Sequence, residues 1–152
     1  MADQGESERA RLTRNLAELL QEVRVAQAGV QILFAFLLSV VFQARFGTAS
    51  GYQRITLIVT IMLTTGSAVA LMAPAAWHRV FFRQGRRADI IEWANRAALI
   101  GLALLAAAMT GAVLLVGDVV LGFWAGVGLA GFVAILFAGV WFALPLSRQE
   151  RA

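Results

Sequence analysis

From Ser7 to Arg24 the apolar positions recur at the helical period: Leu12, Leu16, Leu19, Leu20 and Val23 fall on one face, while Arg9, Arg11, Arg14, Glu18 and Glu22 fall on the other. The spacing predicts an amphipathic helix, which either extends the first apolar segment into the cytoplasm or lies at the headgroup boundary. Beyond it come four apolar runs, at about 25–43, 55–76, 94–116 and 119–144. Each is near the ~20 residues that cross a bilayer core. Gly117 and Asp118 interrupt the last apolar stretch and predict a tight turn between spans three and four, with Asp118 as the N-cap of span four. The expected fold is therefore an all-α integral membrane protein. Four transmembrane helices form a bundle over 25–146, preceded by a cytoplasmic tail and amphipathic helix over 1–24 and followed by a cytoplasmic tail over 147–152. The leader is long and partly acidic, and further apolar segments follow it, which does not fit a signal peptide.

Polar positions inside these runs are few. Gln27 and Gln31 stand four residues apart near the start of span one, and Gln43 stands at its far end. A glutamine without a partner in hydrocarbon costs several kcal/mol, so Gln27 and Gln31 are expected to face the bundle, a partner subunit or water. Their available partners are the hydroxyls along span two, Thr56, Thr60, Thr64 and Ser67, or Asn95 and Arg96 at the start of span three. Such hydroxyls can bond to the preceding turn of their own helix. The polar intramembrane face of Gln27, Gln31, Thr56, Thr60, Thr64 and Ser67 thus reads either as fastening between helices or as the lining of a hydrated path. Gln31 lies seven residues beyond Arg24, about 10 Å at ~1.5 Å per residue, which places it in the cytoplasmic third of the bilayer. Pro74 is expected to kink or end span two.

Span four repeats a small residue at every fourth position: Gly122, Gly126, Ala130, Ala134 and Ala138. Small-xxx-small faces let membrane helices approach closely. The simplest partner is the shorter stripe Ala103, Ala107 and Gly111 of span three, across the hairpin; a homo-oligomer seam on span four is the sharper alternative.

Composition agrees with the pattern. The 152 residues are 60% hydrophobic and 14% charged, against roughly 25% charged in soluble domains. The absence of cysteine excludes disulfides and thiolate chemistry. One histidine, His78, and nine scattered acidic residues offer no cluster for a metal, and no cofactor is expected. His78 has no nucleophile beside it and no carboxylates gather, so the chain is not expected to be an enzyme. A net charge of +4 does not point to nucleic acid, because the basic residues flank apolar runs instead of forming a stripe with aromatics. They set topology instead. Arg9, Arg11, Arg14 and Arg24 precede span one, Arg79, Arg83, Arg86 and Arg87 form a basic loop after span two, and Arg148 and Arg151 close the chain; the other two connections hold only Arg45 and Arg54. By the positive-inside rule both termini and the basic loop face the cytoplasm of a bacterial inner membrane. Trp77, Trp93 and Trp141 on that side, with Tyr52 and Trp124 on the other, suit an interfacial belt. Glu92 and Arg96 are spaced for an ion pair at the cytoplasmic rim.

The stretches "ELLQEVRVAQAGVQILFAFLLSVVFQ", "APAAWHRVFF" and "WFALPL" together resemble the uncharacterised actinobacterial membrane family called domain of unknown function 6328, over nearly the whole chain. The resemblance implies a small four-span protein and brings no catalytic or binding residues with it. Some similar sequences carry the label sodium:proton antiporter. Such exchange needs a titratable group near the bilayer midplane, and the four runs hold no Asp, Glu, Lys or His at mid-depth and no inverted repeat. The expected function is that of a structural, accessory or partner-binding membrane protein, with the bilayer as its solvent and its protein partner unidentified. The alternative is an oligomeric ion channel or transport protein, including an antiporter-like role.

Overall fold

The computed structural model describes residues 2–81 and 87–143, and every regular element among them is helical. Helix α1, Ala2–Val41, contains the amphipathic leader and the first span in one piece of 40 residues, about 60 Å long at ~1.5 Å per residue. Nothing interrupts the pattern at Arg24, so the leader extends the span and does not turn into a separate helix. A 3-10 turn, Ala44–Thr48, leads to α2, Gly51–Phe81. Ser50 opens that helix with a reciprocal capping box: its hydroxyl accepts the Gln53 amide at 3.2 Å, and the Gln53 Oε1 accepts the Ser50 amide at 3.0 Å. Helix α2 continues through Pro74, whose ring is fully buried, so the proline does not end it.

Helix α3, Arg87–Leu121, also outlasts its expected end. Gly117 and Asp118 are interior to it, and the chain reverses at Gly122, whose φ of 94° is a conformation that favours glycine. Asp118 is therefore not the N-cap of the next helix; Gly122 holds that position without any side-chain cap. Helix α4, Phe123–Phe137, passes into a wider π-helical turn, Ala138–Ala143, with Trp141 edge-on to Phe137 at 4.8 Å. Four stretches are long and apolar enough to cross a membrane: Leu20–Val41, Gly51–Trp77, Glu92–Leu121 and Phe123–Trp141.

The four helices pack unevenly. The largest contact is between α2 and α3, α1 packs on both, and α4 packs on α3 with no comparable contact to α1 or α2. The core is a three-helix unit with α4 on its flank. Two apolar clusters fill it, one of Val23, Val30, Leu71, Ala98 and Leu105, the other of Leu37, Leu57, Ala112 and Leu115; Leu33 packs against both. Aromatic pairs mark the ends. Trp77 meets Trp93 at 6.5 Å at one end, and Tyr52 meets Phe123 at 5.4 Å at the other.

The small-residue stripe works over part of its length. Gly126 and Ala130 are the buried residues of α4, whereas Gly122, Ala134 and Ala138 are exposed. A Cβ at Gly126 would lie 2.6 Å from the Asp118 amide nitrogen, and one at Gly117 would lie 2.8 Å from the Gly126 Cα, so backbone meets backbone at this level. On α3, Ala103 and Ala107 are exposed, and Gly111 faces Thr60 of α2. The expected joining of the two stripes is thus replaced by one close crossing near the hairpin. Elsewhere on α4 side chains are exposed or at most part-buried.

Candidate functional site

Pro74 lacks the N–H that would bond the Ala70 carbonyl, so the turn at 70–74 is where a membrane helix draws on neighbouring groups. The three core helices are tied together where α2 carries Pro74. The Gln27 side chain of α1 donates to the Leu71 carbonyl of α2 at 3.1 Å, three residues before the proline. The Ser67 hydroxyl donates to the Gly101 carbonyl of α3 at 2.7 Å. Gly101 admits the Leu71 side chain, since a Cβ there would lie 2.6 Å from Leu71 Cγ. One level of the fold thus joins α1 to α2 and α2 to α3.

Above this level the hydroxyls look after themselves. Thr60 donates to the Thr56 carbonyl at 2.7 Å, and Thr64 to the Thr60 carbonyl at 2.8 Å. Thr60, Thr64 and Ser67 are 1%, 0% and 0% exposed, and Thr56 is half-buried. Among the described residues no buried side-chain nitrogen or oxygen lacks a partner. Of the six residues expected on one polar face, Gln27, Thr60, Thr64 and Ser67 are engaged inside the core, and Thr56 supplies a carbonyl.

Gln31 is the exception. The inward positions of α1 are Val23, Val30 and Leu37, and Gln31 lies past the edge of that stripe and is exposed. It does not share Gln27's contacts, and the expected bond to span two, or to Asn95 and Arg96, is not made. Asn95 and Arg96 are themselves exposed, and Arg96 pairs with Glu92 at 2.7 Å, a rim contact of little energetic weight. The candidate span Leu20–Val41 includes Glu22 and Arg24, so Gln31 lies seven residues beyond its last charge, within its apolar part. Leu33, two residues on, borders both core clusters. This amide stands on the exposed apolar surface of α1.

A second polar group lies at the hairpin end. A half-open cleft of about 550 Å³ is lined by Gln43, Thr48, Gln53 and Asp118 among apolar neighbours including Phe46 and Leu115. Gln53 Nε2 donates to Asp118 Oδ2 at 2.9 Å, while its Oε1 is held by the Ser50 amide. Both ends of that side chain are therefore used, and it couples the cap of α2 to α3. Beside it, Arg54 donates to the Gly47 carbonyl at 3.1 Å. Sequence reasoning passed over Gln53; the Ser50-x-x-Gln53 spacing was its signal. A smaller apolar cleft of about 320 Å³ opens between α3 and α4 beside Gly117 and Leu129. Neither cleft is lined by Gln27, Gln31, Thr60 or Thr64.

Of the basic loop, Arg83 and Arg86 lie outside the described residues; Arg79 is in the last turn of α2, and Arg87 is the first residue of α3. The sequence profile described as "Family of unknown function (DUF6328)" matches residues 5–145, so the chain belongs to that family. No curated protein and no solved structure matches it.

Proposed function

We propose that this member of a family of unknown function is a structural or accessory protein of the bacterial cytoplasmic membrane, acting by binding other membrane components and not by catalysis. One observation carries the reading: the buried polar side chains of the core are spent on neighbouring helices or on their own preceding turn. A conduction path needs polar groups that an ion or water can reach, and Thr60, Thr64 and Ser67 offer at most 1% of their surface. The arginine distribution supports placing both termini and the Arg79 to Arg87 connection in the cytoplasm.

A second reading, an oligomeric ion channel or transporter, draws on the Asp118 carboxylate, which borders an open cleft with the neutral Gln53 as its hydrogen-bond donor. An antiporter-like form of it would have to work through a carboxylate near the end of a span, away from the midplane where coupling groups are usually found. Purified protein in liposomes decides between the two. With sodium, potassium and proton gradients, the expected flux equals that of protein-free vesicles. A cation flux that Asp118→Asn abolishes would overturn the accessory reading and establish transport.

A further inference from the structure

We infer that the protein self-associates through the outward face of α1, with Gln31 of one copy paired to Gln31 of the second. The inference rests on the accessory reading above and names its first partner, a second copy of this chain. It starts from the amide. Gln31 is exposed within the apolar part of the candidate span Leu20–Val41, seven residues beyond its last charge, and its side chain makes no hydrogen bond with the described residues. An amide left against hydrocarbon costs several kcal/mol, so in a membrane something polar covers it. Lipid chains offer neither donor nor acceptor.

What covers it has to be an amide's complement, and the best complement of an amide is another amide. Each glutamine carries one carbonyl acceptor and an NH₂ donor. Two copies related by a two-fold axis therefore satisfy each other reciprocally, because an isologous contact sets a residue on that axis against itself. The surroundings allow the approach. Ala28, Gln31, Ala35, Leu38 and Phe42 are all exposed and follow one another at alternating steps of three and four. That is the 3.5-residue period of a left-handed helix pair. Alanines flank the glutamine on both sides along the seam, so nothing bulky holds the backbones apart there. Leu38 and Phe42, the latter 86% exposed, continue the seam toward the far end of the helix. A single polar residue at a seam position fixes register and favours a defined oligomer, which a wholly apolar face in lipid could not do. Helix α4 presents small and apolar residues but no amide along Phe123–Phe137, so α1 carries the seam.

The chain has no cysteine, so each introduced thiol reports on one position alone. Ala28→Cys and Ala35→Cys in native membranes are expected to form disulfide-linked homodimers on mild oxidation, whereas Phe132→Cys, 61% exposed on α4, is not. In mild detergent the parent is expected to run as a dimer by mass. Gln31→Leu is expected to weaken dimerisation about tenfold while leaving the melting of the monomer unchanged, since the side chain makes no bond within the fold. Gln31→Asn, which keeps the amide, retains the dimer. A monomeric parent that cross-links nowhere would overturn the inference, as would linkage at Phe132→Cys equal to that at Ala35→Cys, capture of a different protein at Ala28→Cys, or an undiminished Gln31→Leu dimer. The flux assay answers separately: a monomer that conducts nothing ends this inference and leaves the accessory reading standing, and a dimer that conducts cations does the reverse.

Discussion

Adding one methyl group at Gly126 tests how closely α3 and α4 cross. An ideal Cβ there lies 2.6 Å from the Asp118 amide nitrogen, 3.0 Å from the Leu114 carbonyl oxygen and 3.1 Å from the Asp118 Cα. All three are backbone atoms of one helix, so no side-chain rotation relieves the clash. Helix α4 has to move as a body, by about 1 Å to restore ordinary separations of ~3.5–4.0 Å between carbon atoms. Overpacking of this kind costs roughly 1–3 kcal/mol. Gly128 is the control, on the same helix with nothing within 4 Å of its Cβ. There alanine replaces a poor helix former with a good one, a gain of up to about 1 kcal/mol. The same chemical change at two positions two residues apart should therefore differ by roughly 1–4 kcal/mol and move stability in opposite directions. Reversible unfolding in mixed micelles, titrated from mild detergent into SDS, measures both. Gly126→Ala as stable as Gly128→Ala would show that the two backbones do not touch at this level.

Other consequences can be checked individually. Gln27→Leu removes the only side-chain bond from α1 to α2 at the proline turn among the described residues, and should cost about 1 kcal/mol in the same titration, within the ~0.6–1.7 kcal/mol measured for interhelical polar contacts in membranes. Ser67→Ala should cost a similar ~1 kcal/mol, because its bond crosses to α3, whereas Thr64→Val should be close to neutral because its bond returns to its own helix; equal losses would mean that the hydroxyls act as one network. Gln53→Leu should remove half of the capping box of α2 at a cost of about 1 kcal/mol, seen as faster hydrogen exchange of the Ser50 amide, which the Gln53 side chain accepts, in detergent micelles. For orientation, Gln84→Cys and Ser147→Cys should resist an impermeant thiol reagent in whole cells while Ser50→Cys reacts; labelling of Gln84→Cys in intact cells would invert the topology.

The four helices were legible because length and unbroken apolarity are enough to find them, and helical periodicity was enough to find the leader. Where the chain turns was less so. Gly117 with Asp118 and the later Gly122 are equally plausible breaks by composition, and the difference lies in backbone approach: Gly117 stays helical because Gly126 packs on it, while Gly122 alone takes a positive φ. The stripe on α4 was read correctly as small residues at helical spacing, but spacing does not say how long two helices stay together. Full burial on α4 is confined to Gly126 and Ala130, leaving Ala134 and Ala138 exposed. Gln27 and Gln31 were assigned one face because four residues make about one turn of a helix. The true inward stripe of α1 advances in steps of seven through Val23, Val30 and Leu37, which leaves Gln27 at its flank and Gln31 beyond it. No rule of spacing can tell which side of a helix is inside until its neighbours are known.

In water an exposed apolar side chain marks a place where a protein is unfinished; in lipid that signal disappears, because every span here shows leucine, isoleucine or phenylalanine to its surroundings at no cost. Polar groups take over the role. The described polar side chains within the spans divide by where their hydrogen bonds go. Thr60 and Thr64 bond within their own turn and would be satisfied in an isolated helix. Gln27 and Ser67 need a second helix, so they report that α1, α2 and α3 form one unit. Gln31 has no side-chain partner among the described residues. If its partner is a second copy, the glutamine four residues earlier fixes α1 onto its own core and so aims Gln31 outward. Gln27 would then be a positioning residue for the dimer, and Gln27→Leu should loosen α1 enough to weaken cross-linking at Ala28→Cys and Ala35→Cys although it touches neither. Undiminished cross-linking in that variant would show that the orientation of α1 is set by its apolar contacts alone.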